Sequence, residues 1–549
     1  MSKIKVFALG GQNEIGKNMY VVEVLNDIFI FDAGLKYAEE KLFGVDYLIP
    51  DFRYIVNNID RIKGIFLTHG HDENIGALKD ILKEVPNIKI YGTKFTIDIV
   101  RKMLEEDSIT ANNLIEILPH QKISFDNNSI FPISLTHSLL GNVGYVLYTE
   151  DGAILYTGNY VFDPSMTGPY KTDIGKLAYV GKQGVLCLLS ESLYAGKSGF
   201  TSPNHRLSGL IKETLRKNED RRIIFNVLSA NMYRVEELFN QITKTDRKVV
   251  IMGKRLYSMI INLIDMNYLT FDKNKIGSLS NINDKDAIIL ISGENEKPFT
   301  NLKRIVNGYD KYIKIKEDDL VVFLEPIQDG MERVLANISD YIARSGADII
   351  TLSPKKYLLH HASDEDLMLM LDLINPKYYM PVIGEYRHMV NNANVAKQIG
   401  LAPDNVLLKL NGEVAYFENG IYKVNNEKID VEDIMIDGNK IGDIGELVLK
   451  DREMLSDNGI VVISITIDRK TKEVLAGPEI LTRGFIYVKE NSNIIKEIET
   501  ISSKVLKENT TPYYVEYNKV KNAIRDEVGR YLYKETECKP MIISVILEV

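Results

Sequence analysis

Three histidines follow stretches that read as β-strands, and their spacing suits a metal ion. In Leu67-Thr68-His69-Gly70-His71 the two imidazoles alternate on an extended or turned backbone, and Gly70 permits a tight approach. His137, in Leu135-Thr136-His137-Ser138, ends a third such stretch. Three neutral imidazoles with an open fourth position would make a competent zinc site. The competing reading is three hydrogen-bonded turn histidines, because a His-x-His pair alone carries either meaning. His120, His205 and His388 read as surface or structural groups.

The elements that must position these groups are strands rich in β-branched and aromatic residues. Eight of them are expected in the first 160 or so residues, at 3–10, 18–25, 27–34, 62–70, 88–92, 129–137, 142–149 and 152–158. Several end in polar clusters: Asp32-Ala33-Gly34, His69-Gly70-His71, His137-Ser138 and Gly158-Asn159. Polar groups gathered at strand ends project from one edge of a sheet, where a site is easily built. From about 205 to 360 the rhythm becomes strand–loop–helix, which predicts a mainly parallel α/β sheet covered by helices. A helix over 364–373 and a strand through 377–389 follow. The tail from about 460 is expected as a small α+β unit. Its strands would be 458–468 and 483–490 around a turn-rich 470–479, with two amphipathic stretches and a closing strand at 541–549.

Composition sets the outer bounds. At 549 residues the chain exceeds one core, and two to four domains are expected. Cys187 and Cys538, far apart, fit a reducing cytosol and exclude a cysteine-rich zinc site. The beginning of the chain has no secretory pattern, and no run of about 18 uncharged apolar residues occurs, so a cytoplasmic protein without a membrane span is expected. The net charge of −9 weighs mildly against nucleic acid, although a local basic groove can coexist with it.

Longer motifs sharpen this picture. Residues 68–76, THGHDENIG, look like the metallo-β-lactamase motif H-x-H-x-D-H followed by I-G. Around it, GGQNEIGKNMYVVE, FDAGLKYAE, GVDYLIPD, YTGNYVFD, LLSESLYAGKSGFT, HHASDEDLMLML, NPKYYMPVIGEYRHM and KPMIISVILEV resemble ribonuclease J segments in the same order, from the first strand to the last residue. Within that family the chain is most like the degenerate second paralogue that some bacteria carry. The resemblance implies a metallo-β-lactamase αββα sandwich (1–205 and 361–430) interrupted by a β-CASP α/β domain (206–360). A linker (431–459) and a small C-terminal α+β domain of the dimerisation type (460–549) complete it. It also implies zinc-dependent degradation of RNA from the 5′ end, with internal cuts, by two ions.

Matching residue by residue, the first ion's histidines survive as His69, His71 and His137, and Asp32 matches the aspartate that orients a ligand histidine from behind. The rest has drifted. Glu73 and Asn74 stand for an Asp-His pair, Asn159 for the bridging aspartate and Ile383 for the late ligand histidine. At about 3.5–4 Å separation and an effective dielectric of about 20, two dications repel by roughly 18 kcal/mol. A neutral amide at 159 offsets little of that, so at most one ion per chain is expected: zinc by family, with manganese and a metal-free site as alternatives. Glu191 and His361 match the family's cleavage residues, either as remnants of that apparatus or as interior hydrogen-bonded groups. The RNA-phosphate positions fall on Ser229, Asn231 and Tyr233, and on Tyr357, Leu358, Leu359, His360, His361 and Ser363; Tyr233 and the run 357–360 depart from the family pattern.

Three functions follow as expectations. The first is an impaired subunit that binds RNA, as a homodimer or assembled with an active ribonuclease J. The second is a weakly active metal-dependent exo- and endoribonuclease. The third, a small-molecule hydrolase, is disfavoured by the inserted 205–360 segment.

Overall fold

A computed structural model describes residues 2–549 except 39–41, 43, 294–298, 328–329, 439, 442–445, 486–491 and 512–513. The chain divides into two compact units, Met1–Tyr37 with Leu48–Ile434, and Ala38–Tyr47 with Met435–Val549.

In the first unit all eight expected early strands form, and two mixed sheets are built from them. One runs Ile421–Lys423, Ala415–Glu418, Lys3–Gly10, Met19–Val24, Asp27–Phe31, Ile62–Phe66, Ile90–Thr93 and Leu114–Ile117 in spatial order. The other runs Tyr378–Val382, Val185–Glu191, Gly152–Tyr156, Val143–Thr149, Asn128–Ser134 and Ile123–Phe125. Their inner faces share one core, in which Phe31 lies 6.0, 5.9 and 5.8 Å from the rings of Phe66, Tyr145 and Tyr156. Burying such a ring is worth roughly 1.5–3 kcal/mol. Two of these aromatics also carry a polar tip to the sheet edge. Tyr145 Oη donates to the Leu67 carbonyl at 2.7 Å and Tyr156 Oη to Asp32 at 2.8 Å, so the core holds the histidine-bearing edge in place.

The outer face of the second sheet packs on helices Ile174–Gln183, Asp364–Ile374 and Tyr386–Gln398. The expected strand through 377–389 is shorter than its sequence suggests. It ends at Val382, Ile383 turns into the left-handed region at φ 55°, and a helix begins at Tyr386. The inserted segment forms a six-stranded sheet, Ile276–Gly277, Val249–Met252, Ile288–Ser292, Ile223–Val227, Leu320–Pro326 and Asp348–Leu352. Every pair in it is parallel, and apolar clusters pack both faces, as the alternating pattern predicts.

The second unit has a three-stranded sheet in the order Val474–Arg483, Ile460–Ile467, Met541–Glu548, covered by helices Ser492–Glu508 and Tyr517–Thr536. Val461, Ile463, Ile465 and Ile467 alternate into its core. Here one expectation is corrected: 470–479 is not a long turn, because strand Val474–Arg483 occupies most of it. Asp468 Oδ1 accepts the Lys470 and Thr471 amides at 2.8 and 2.7 Å, which closes the turn within a few residues. Gly477-Pro478, within that stretch, lies in an edge strand, where a missing N–H is tolerated. The strand expected at 483–490 lies largely in 486–490, outside the described residues. Residues 431–459, expected as a linker, carry strand Asp433–Asp437 and helix Glu446–Asn458, with 439 and 442–445 outside the described residues.

Candidate metal centre

Strand Ile62–Phe66 delivers His69 to the sheet edge, and His71 caps the short helix Asp72–Ile75. His137 arrives three residues after strand Asn128–Ser134. One ring nitrogen from each lies within 4.8 Å of the others. The outer nitrogens decide what the inner ones present. His71 Nε2 is 2.7 Å from the Ala230 carbonyl and His137 Nδ1 is 2.8 Å from the His360 carbonyl. A carbonyl only accepts, so both nitrogens carry the proton. His69 Nδ1 is 2.9 Å from Thr68 Oγ1, whose own hydrogen is committed to Asp32, so His69 Nδ1 also donates. The lone pairs of His69 Nε2, His71 Nδ1 and His137 Nε2 therefore converge, with His71 Nδ1 at 2.9 Å from the first and 3.4 Å from the last. With His71 neutral, three lone pairs face one another, and a divalent ion among them would take the place of the proton that Glu73 otherwise favours on His71 Nδ1, so the donor set fits one divalent ion. Burial and the neighbouring imidazoles hold His69 and His137 well below the usual histidine range. For His71 burial acts the same way, but the Glu73 carboxylate 3.3 Å from Nδ1 outweighs it and raises the pKa.

Asp32 reaches this set through an intermediary. Its carboxylate accepts the Thr68 amide at 2.8 Å, Thr68 Oγ1 at 2.9 Å, Asn74 Nδ2 at 2.7 Å and Tyr156 Oη at 2.8 Å. Complete burial pushes its pKa up to about 7 against the pull of these donors. Its hydrogen-bond partners are Thr68, Asn74 and Tyr156, and Thr68 passes its orientation to His69. Gly34 makes the approach possible, because a Cβ there would lie 1.6 Å from the Glu73 carbonyl oxygen.

The positions expected to have lost a second ion's ligands are engaged otherwise. Glu73 pairs with His71, which overrides burial and holds its carboxyl well below the usual range. Asn74 turns its amide to Asp32. Asn159 Nδ2 donates to Glu191 Oε2 at 2.9 Å. Ile383 is a buried apolar side chain on a backbone that few β-branched residues adopt. Its carbonyl accepts from the Ser192 amide at 3.0 Å and its amide lies 3.1 Å from Tyr20 Oη, so the frame persists around a side chain with no donor atom.

Glu191 is saturated. Oε1 accepts the Tyr160 and Ala362 amides at 2.7 and 3.2 Å, while Oε2 accepts Asn159 Nδ2 and His361 Nδ1, both at 2.9 Å. A carboxylate has about four acceptor sites, so none is left to take a proton from a reacting group. Glu191→Gln turns an NH2 toward two of these donors and is expected to lower stability by about 2–3 kcal/mol. Denaturant unfolding checks this; a change below about 0.5 kcal/mol would mean the carboxylate is not the junction's acceptor.

A cavity of about 190 Å³ opens over His71 and His137. Of the expected phosphate positions, Ser229, Asn231, Leu359, His360 and His361 line it. The others serve the frame. Ser363 caps helix Asp364–Ile374 in a reciprocal box with Asp366, and the Leu358 carbonyl accepts from the buried Arg234. Tyr233 packs against Tyr170, His205 and His360 at 5.2, 6.0 and 5.3 Å, and Tyr357 packs on the core of the inserted sheet. Sequence reading missed Thr68, Tyr156 and Arg255. The first two look like ordinary strand residues; Arg255 had a faint signal, a cation just past the end of a strand.

Models of three families match the chain: the metallo-beta-lactamase superfamily over residues 13–179, the ribonuclease J beta-CASP domain over 220–341 and the ribonuclease J C-terminal domain over 447–549. Ribonuclease J2 of Bacillus subtilis (strain 168) is 35% identical over 550 residues, covering 100% of this chain and 99% of that protein. Ribonuclease J 2 of Staphylococcus aureus (strain MW2) is 34% identical, covering 100% of this chain and 98% of that protein. Among solved structures, a protein of unknown function from Enterococcus faecalis V583 is similar in fold, with a TM-score of 0.53 at 16% identity over 76% of this chain and 100% of that one. In every described helix the apolar stretch is too short or too charged to cross a membrane.

Proposed function

The chain belongs to the ribonuclease J family, on the side of its second paralogue, and we propose that within RNA processing it is a catalytically impaired subunit that binds RNA and assembles with an active ribonuclease J. The observation that carries this reading is the bond from Asn159 Nδ2 to Glu191 at 2.9 Å. An amide whose N–H2 faces a carboxylate supplies no negative charge between two cations, and the carboxylate it engages is itself saturated. Selective change supports the same reading: ligand positions have drifted while the first and C-terminal segments still match family models.

The test combines metal analysis with RNA decay on the purified full chain. At most one zinc or manganese per chain is expected, with a 5′-monophosphorylated RNA bound but not shortened. The protein should also co-purify with an active ribonuclease J from the same cell and alter its stability or activity. Two ions per chain, or shortening at the rate of that active enzyme, would refute impairment; the absence of any complex would refute assembly.

A second reading, a weak nuclease working from one ion, draws on the three converging lone pairs. When bound there, a divalent ion would lower the pKa of water toward about 7. The chain's own residues would do the remainder: the outer carbonyls and Thr68 hold the imidazoles, and His361, anchored through Nδ1 to Glu191, turns Nε2 toward the cavity. Metal-dependent shortening that vanishes in His137→Ala would favour this reading over the first.

A further inference from the structure

RNA phosphates need a cationic partner, and among the described residues lining the cavity Arg255 is the single Lys or Arg. It belongs to helix Lys254–Asp265, which follows strand Val249–Met252 of the inserted sheet. From there its guanidinium donates to both carboxylate oxygens of Asp72, at 2.9 and 3.2 Å. Tyr37 Oη donates to the same carboxylate at 2.7 Å. Asp72 directly follows His71, so this clasp closes beside the histidines.

The planar fork of an arginine fits a phosphate as it fits a carboxylate, two N–H groups to two oxygens. Asp72 and an incoming phosphodiester are therefore rivals for one guanidinium. The arginine side chain is 49% exposed while Asp72 is only 16% exposed, so the guanidinium is the solvent-facing partner that an incoming phosphate can reach. We infer that Arg255 is the phosphate-contacting residue of the cavity and that Asp72 is an internal carboxylate competing with RNA for it. This rests on the RNA binding proposed above and specifies how that binding is limited.

The experiment is fluorescence anisotropy with a 5′-monophosphorylated single-stranded RNA, titrated across a range of salt concentrations. Asp72→Asn keeps the shape and an acceptor for Tyr37; it should tighten binding by about 2- to 5-fold, the range of one partly exposed ion pair released. Arg255→Gln should weaken binding and flatten the slope of log affinity on log salt by about 0.7, one phosphate contact on a single strand. Arg255→Lys should recover most of that slope. With Gln at 255, Asp72→Asn should have no further effect. If Asp72→Asn tightens binding equally with and without the arginine, the gain is a general loss of negative charge and the rivalry is refuted. An Arg255→Gln protein with unchanged affinity and slope refutes it too. Failure of the wild-type chain to bind RNA is seen before any variant is compared, and it overturns the proposed function together with this inference.

Discussion

Asn159→Asp, the substitution that restores the family's bridging residue, is expected to cost the metal-free chain about 4 kcal/mol at pH 7. Asn159 Nδ2 now donates to Glu191 Oε2 at 2.9 Å inside a buried site. An aspartate there sets two carboxylates against each other, a repulsion of roughly 6 kcal/mol at an effective dielectric of about 20. One of them can escape by taking a proton. At pH 7 that costs about 1.4 kcal/mol for each of the roughly three pH units above an ordinary Asp pKa, which caps the penalty near 4 kcal/mol. The sign follows from linkage: the folded pKa is raised, so the penalty is absent below the unfolded pKa near 4 and grows as pH rises. Chelator-treated protein unfolded in denaturant at pH 5 and pH 8 should show a gap between wild type and variant that widens at pH 8. Zinc should close that gap only when Asn74→His and Ile383→His are also present, because a second ion needs their donors. A variant as stable as wild type at both pH values would mean that the Asn159–Glu191 bond does not exist in solution.

The same site shows what sequence can and cannot convey. His69, His71 and His137 were legible because a ligand-type residue at a strand end has one geometric destination, the edge where the other strand ends meet. Which of their nitrogens point inward was not legible, since that depends on the carbonyls of Ala230 and His360, 159 and 223 positions away from the histidines they hold. Asp32 is expected from the sequence to act on a histidine, and the structure routes its influence through Thr68, which in the sequence is one more β-branched residue of a strand. Tyr233 and Ser363 were assigned to phosphate by matching position. Position fixes the backbone, but a tyrosine is drawn into the aromatic contacts with Tyr170 and His360, and a serine ahead of a helix is drawn to its free amides. In the C-terminal unit 470–479 reads as turn-rich because local propensity is blind to whether a strand lies at an edge.

These cases share a cause. On the reading proposed above, a changed ligand position leaves no hole, because the side chain now present bonds to a neighbouring polar group. Asn74 has taken up Asp32 and Asn159 has taken up Glu191. Substituting the family residue at either position therefore removes a bond that the fold uses, which is why single substitutions of this kind should destabilise before any gain in activity.

Asp32 is where that dependence is greatest. Asp32→Ala is expected to lower stability by about 4–6 kcal/mol, because of its four donors three, the Thr68 amide, Asn74 Nδ2 and Tyr156 Oη, are left without an acceptor at about 1–3 kcal/mol each. Zinc affinity should fall by about 10- to 100-fold as well, the usual effect of losing the partner that orients a ligand from behind. The mechanism is specific. Without the carboxylate, Thr68 Oγ1 is free to donate to His69 Nδ1 at 2.9 Å, which selects the other tautomer and turns an N–H into the space between the three rings. Asp32→Asn should show the affinity loss with a smaller stability cost, since the shape is kept. Tyr156→Phe supplies the control: it removes one donor to Asp32 and leaves Thr68 untouched, so stability should fall by about 1 kcal/mol with zinc affinity unchanged. Competition against a chromophoric chelator measures the affinities. If Asp32→Asn binds zinc as wild type does while His69→Ala does not, the aspartate only supports the fold, and the route through Thr68 carries no control over the histidine.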